Sequence, residues 1–110
     1  MSDFVTVATV DQIPPGSGRT VEVHGVRIAL FNVDGTYYAV DNTCPHAGGP
    51  LGEGFVKGEV VECPWHGWAF SLRTGERSGN PNITVACCLV QVTDGQIQVA
   101  LPPDFDPHGA

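Results

Sequence analysis

A chain of 110 residues is long enough for one compact unit with a modest apolar core and too short for two substantial domains. Twelve acidic residues against five basic ones leave a net charge of −7, which repels nucleic-acid phosphates and anionic membrane surfaces and favours a basic protein partner. The 42% hydrophobic content is broken into runs well short of the roughly 20 residues that a membrane-spanning helix needs, so no membrane span is expected.

The N-terminal MSDFVTVATV has an early acid and no basic stretch ahead of a long apolar block, so no secretory leader is read there and a cytoplasmic location is expected. Beyond it, glycine and proline recur between short stretches rich in Val, Ile, Thr, Phe and Tyr, the rhythm of an all-β fold. In chain order the strands are expected at 4–9, 20–24, 26–32, 36–40, 59–63, 69–72, 88–93 and 96–101. No window carries a helical repeat, and only Val10 to Ile13 suits a single short turn. Asp34-Gly35 and Asp94-Gly95 sit between alternating segments and predict tight hairpins, because such pairs accept the positive φ angles of primed turns. Residues 42–55 and 64–67 look unlike ordinary turns and are expected to carry the chemistry. The unit is expected to span 1–101, with 102–110, three of them prolines, as a loose tail.

The first of these loops contains Cys44-Pro45-His46 and the second follows Cys63 as Pro64-Trp65-His66, with sixteen residues, 47–62, between them. Each segment supplies one thiol and one imidazole, and Pro45 and Pro64 stiffen the backbone between the ligands. Two thiolates and two neutral imidazoles suit a tetrahedral zinc ion, or a two-iron cluster in which one iron takes the sulfurs and the other the nitrogens. Common zinc fingers pair Cys with Cys and His with His. The mixed segments here favour two metal atoms served from opposed loops. A zinc-stabilised interaction module stays open as the reading from a different class, and visible colour separates the two. Four buried structural residues without a metal would be the bland reading, and it asks this spacing to be a coincidence.

CPH, a spacer and CPWHGW resemble the Rieske motif, and the similarity runs on through AGGPLGEG, GEVVECP and FSLRTGE, over roughly residues 26–101. The resemblance implies an all-β Rieske domain: an antiparallel β-sandwich base with a two-loop cluster-binding subdomain. It implies one [2Fe–2S] cluster, with Cys44 and Cys63 on the buried iron and His46 and His66 on the outer one. It also implies a one-electron carrier with no catalytic residues of its own. Such a carrier is similar to the ferredoxin component of bacterial ring-hydroxylating dioxygenase systems, taking electrons from a flavoprotein reductase and passing them to a terminal oxygenase. A small subunit of a nitrite-reductase-like enzyme is the alternative within the family. An oxygenase large subunit would need a second iron domain, for which 110 residues leave no room.

This chain departs from the high-potential branch of that family at four places. Two cysteines that join the loops by a disulfide there are Gly49 and Trp65 here, so Pro50, Leu51, Trp65 and the glycines must hold the loops by packing. The serine and tyrosine hydroxyls that donate to the cluster there are Trp68 and Phe70 here. Donors of that kind stabilise the reduced, more negative state, so their loss implies a low-potential centre, and Trp68→Ser or Phe70→Tyr should raise the potential. Reduction also raises the proton affinity of imidazole ligands, so the potential should fall at sufficiently high pH. Trp65 is either loop packing or a partner-facing anchor, and Pro81 in GNPN resembles a third covering loop. Cys87 and Cys88 are adjacent, a strained geometry for a bridge, and are read as reduced, buried apolar side chains. His24, placed in a strand, and His108, in the tail, are read as surface residues.

Overall fold

A computed structural model describes residues 4–45, 48–65 and 67–102. The predicted ligands His46 and His66, together with His108 and all of the tail after Pro102, lie outside the described residues. Among the described residues eleven strands follow one another: β1 Val5–Thr9, β2 Gly18–Val23, β3 Val26–Val33, β4 Thr36–Asp41, β5 Phe55–Lys57, β6 Val60–Glu62, β7 Ala69–Ser71, β8 Glu76–Arg77, β9 Asn80–Thr84, β10 Cys87–Thr93 and β11 Gln96–Ala100. They form a six-stranded sheet in the order β1-β11-β10-β4-β3-β2 and a five-stranded sheet in the order β5-β6-β7-β8-β9. Every strand pairing is antiparallel. No helix among the described residues is long and apolar enough to cross a membrane.

The layout follows from β3. Its run Ile28-Ala29-Leu30-Phe31 is fully buried without alternation, because both faces of the strand are covered. Ile28 and Leu30 point into one core with Ala8, Ile13, Val23, Ala39, Ile97 and Val99, inside the six-stranded sheet. Ala29 and Phe31 point the other way, into a second core with Val40, Leu51, Val61, Phe70, Leu72, Val85 and both loop cysteines. The second core is therefore the joint between the large sheet and the small one.

The expected hairpins form, with φ of 50° and 89° at Asp34 and Gly35 and of 52° and 76° at Asp94 and Gly95. Buried Asn32 fastens the first by accepting from the Gly35 amide at 2.8 Å and donating to the Ile13 carbonyl at 2.7 Å. A third hairpin of the same kind was not read from the sequence. His24 and Gly25 take φ of 51° and 80°, so exposed His24 is the first turn residue between β2 and β3 and not a strand residue. The turn at 10–13 is a single 3-10 turn over Val10–Gln12.

The cluster-binding part differs most from expectation. Its two loops rise from a five-stranded sheet, three of whose strands, β5, β8 and β9, were not read from the sequence because they are too short or too polar to show a period of two. The loop expected at 42–55 ends earlier: a 3-10 turn occupies Leu51–Glu53, and Phe55 already begins β5. Pro81 lies within β9, the edge strand of the small sheet, where a missing amide proton disturbs no ladder on the open side.

Candidate metal centre

Cys44 and Cys63 end up in the same apolar core, 1% and 2% exposed, although they arrive on separate loops. Neither is in a disulfide. The two loops close on them in the same way. The Cys44 amide donates to the Gly49 carbonyl at 2.9 Å and the Cys44 carbonyl accepts from the Gly48 amide at 2.8 Å. Nineteen residues on, the Cys63 amide donates to the Trp68 carbonyl at 2.7 Å and the Cys63 carbonyl accepts from the Gly67 amide at 3.1 Å. In each case the partners stand five and four residues after the cysteine, and the glycine at the fourth has a positive φ, 77° at Gly48 and 74° at Gly67. Both backbone polar groups of each cysteine are thereby satisfied.

The loops also touch each other. A Cβ on Gly49 would stand 2.7 Å from Cys63 Sγ and 3.1 Å from Trp65 Cγ, so only a bare backbone lets the first loop lie against the second. The Trp65 ring covers Gly49 and is still 56% exposed, so it serves the packing and faces solvent at once. Pro45, Gly48 and Gly67 are exposed around it, giving the tip a partly apolar, backbone-rich surface.

The first loop is anchored to the base through buried Asn42. Its side-chain oxygen accepts from the Gly52 amide at 2.8 Å and from the Thr20 hydroxyl at 3.0 Å, and its carbonyl accepts from the Leu51 amide at 2.7 Å. Thr43 bridges to Pro50 across the same loop. On the opposite side the Tyr38 hydroxyl donates to Glu59 at 3.0 Å, and Glu59 meets the Arg73 guanidinium at 3.7 Å. Neither Asn42 nor Glu59 stood out in the sequence, since a buried asparagine and a surface glutamate have no spacing signature.

Phe70 is fully buried in the core that holds both thiols, and Trp68 packs against it. The Arg77 guanidinium lies over the Trp68 ring, 3.5 Å from its centroid. Cys87 and Cys88 are half-buried and not fully buried as expected: they pair with Val40 and Ala39 and lean into opposite cores. Burial raises the Cys87 thiol, and burial, then Cys87 and Asp41, pushes Cys88 up to about 12. Cys44 and Cys63, fully buried on the two loops, are the sulfurs placed together in one core. Among the described residues no third metal-ligating side chain joins those two, and the remaining predicted ligands are His46 and His66.

Two buried thiols outside any disulfide, carried by twin loops on a small antiparallel β fold, are donors of the kind a metal centre takes. The sequence pattern of the Rieske [2Fe–2S] domain matches residues 3–98, and the chain belongs to that family. It is 38% identical over 79 residues, 72% of this chain and 76% of the relative, to the ferredoxin component of naphthalene 1,2-dioxygenase/salicylate 5-hydroxylase systems of Ralstonia sp. It is 33% identical over 99 residues, 88% of this chain and 92% of the relative, to ferredoxin CarAc of Metapseudomonas resinovorans.

Solved structures agree. The ferredoxin of carbazole 1,9a-dioxygenase from Nocardioides aromaticivorans IC177 has a TM-score of 0.83 at 33% identity, covering 90% of this chain and 98% of that one. A ferredoxin solved as a complex of reduced oxygenase and oxidized ferredoxin in carbazole 1,9a-dioxygenase has 0.83 at 31%, covering 94% and 97%. A Mycobacterium tuberculosis protein provisionally described as an NADH-dependent nitrite reductase small subunit has 0.86 at 31%, covering 91% and 96%. The cofactor of this family is one Rieske-type [2Fe–2S] cluster, and the chain is a one-electron carrier without catalysis of its own. The donor chemistry fits: two reduced, buried sulfurs in an apolar core, with a glycine where any side chain would press on one of them. When bound, such a cluster supplies reversible storage of one electron.

Proposed function

We propose that Cys44 and Cys63 hold the inner iron of the cluster and His46 and His66 the outer iron, and that the protein carries electrons from a flavoprotein reductase to a terminal aromatic-ring-hydroxylating oxygenase. The observation that carries this reading is the convergence of two cysteine side chains from twin loops into one buried core. His46 and His66 follow those cysteines by two and three residues in the sequence, so each segment offers one nitrogen donor with its sulfur. Residues 1–101 act as one unit, and the cytoplasm suits its free thiols.

Absence of a hydroxyl at Trp68 and Phe70 leaves the centre at low potential, since neither side chain offers the O–H donor that would favour the reduced state. Exposed Trp65 and the bare backbone around it give both partners a site for brief docking over the outer iron. The ferredoxin caught with its oxygenase supports the acceptor half of this assignment. A nitrite-reductase subunit is the second reading, favoured by the TM-score of 0.86.

Iron and acid-labile sulfide analysis of the purified protein tests the site, with about two of each expected per chain. The dithionite-reduced protein should give a rhombic electron paramagnetic resonance signal of low average g. Cys44→Ser, Cys63→Ser, His46→Ala and His66→Ala should each lose it. Zinc in a colourless protein would overturn the assignment. Turnover of a ring-hydroxylating oxygenase, with NAD(P)H and a flavoprotein reductase, should depend on added protein; nitrite reduction supported in its place would favour the second reading.

A further inference from the structure

We propose that Arg77 is a positioning residue for the redox centre, its guanidinium pinned on Trp68 so that a fixed positive charge stands beside the Cys63 loop and favours the reduced state. The inference rests on the cluster assignment above. The small sheet carries three basic residues, on its strands or in its turns, and two of them face carboxylates: Lys57 meets Glu62 at 4.0 Å and Arg73 meets Glu59 at 3.7 Å. Arg77 has no ion pair among the described residues and lies on an indole instead, 3.5 Å from the ring centroid. An aromatic face holds a guanidinium in place without cancelling its charge, a contact worth about 0.5–2 kcal/mol depending on solvent exposure.

The ring it lies on is tied to the metal site through the backbone. Trp68 accepts from the Cys63 amide at 2.7 Å, and its side chain packs on the core that contains both thiols. Arg77 itself is paired in β8 opposite Phe70, which is fully buried in that core. The link from charge to sulfur therefore runs through Trp68, with β7 between Arg77 and the strand that leads into Cys63, and the strand pairing and the stack together limit how far the guanidinium can swing away.

Reduction adds one electron from an external donor and breaks no bond. Two ferric ions, two sulfides and two thiolates sum to zero, and the added electron leaves −1. A neighbouring cation attracts that charge in the reduced state and has no net charge to attract in the oxidised one, so Arg77 raises the potential. In a protein of net charge −7 it offsets part of a background that opposes reduction.

Direct voltammetry of the holoprotein tests this. Arg77→Gln should lower the midpoint potential, by a difference that shrinks as salt is added, whereas a purely structural role would show no such salt dependence. Arg73→Gln, whose charge is already met by Glu59, should shift it less. Trp68→Leu removes the platform without adding a hydroxyl and should lower the midpoint too, and the two substitutions combined should do no more than Arg77→Gln alone. A wild-type midpoint in Arg77→Gln, with visible and paramagnetic spectra intact, overturns the proposal. If Arg77→Gln fails to hold the cluster, a wild-type midpoint in Trp68→Leu overturns it instead. Wild-type protein lacking iron and sulfide would overturn the underlying cluster assignment, before any variant is compared.

Discussion

Gly49 carries the contact that a disulfide makes elsewhere in the family. Its missing Cβ lets the first loop rest on Cys63 Sγ and under the Trp65 ring, so the loops are joined by close approach and not by a covalent bond. Gly49→Ala forces 2.7 Å between a methyl carbon and that sulfur, and overpacking of this kind costs about 1–3 kcal/mol. The expected outcome is a chain that folds but retains less iron than wild type, measured as iron per chain after purification. Phe70 bears on the potential instead. It shares a core with both thiols, so a hydroxyl on its ring enters their surroundings as a donor. Phe70→Tyr should raise the midpoint by roughly 40 mV, the equivalent of about 1 kcal/mol for one electron, in direct voltammetry. An unchanged or lowered value would count against the account of why the potential is low.

At the scale of elements, the two cysteine turns are copies of one design: amide to the fifth carbonyl, carbonyl from the fourth amide, glycine with positive φ at the fourth place. They differ in what fastens them. The second turn is the short connection between β6 and β7, paired strands that hold it at both ends. The first spans from β4 to β5, in different sheets, and depends on Asn42. Asn42→Ala removes the acceptor for the Gly52 amide and the Thr20 hydroxyl in a buried place, which costs about 1–3 kcal/mol. Urea unfolding should report that loss, with earlier bleaching of the visible absorbance because the first loop loosens. Unfolding equal to wild type would remove Asn42 from this role.

For the molecule as a whole, twelve acidic residues against five basic ones set up a negative field around an electron carrier that must meet its partners briefly. The rate at which an NAD(P)H-dependent flavoprotein reductase reduces the protein should fall as salt rises from 10 to 300 mM, on the order of tenfold for a basic docking face, because added ions screen the approach. A rate independent of salt would assign docking to the apolar tip alone. The two cores divide the work: one closes the six-stranded sheet on itself, and the other fastens the small sheet to it and receives both thiols.

By itself the sequence determined the kind of protein. Cys44, His46, Cys63 and His66 at their spacing, with prolines and glycines beside them, point to a two-loop metal site, because ligand identity and short-range spacing are written in the chain. Alternating segments around Asp34-Gly35 and Asp94-Gly95 likewise exposed most of the large sheet, whose hairpins are local. Only the tertiary structure decided what rests on contacts between distant segments. These include the three short strands that complete the small sheet and the lean of Gly49 on Cys63. They also include the hold of Asn42 on the first loop and the stack of Arg77 on Trp68. Strands of two or three residues have too few positions to show a period, the five residues of β9 are too polar to show one, and a side chain that bonds to backbone far along the chain leaves no pattern in its own neighbourhood.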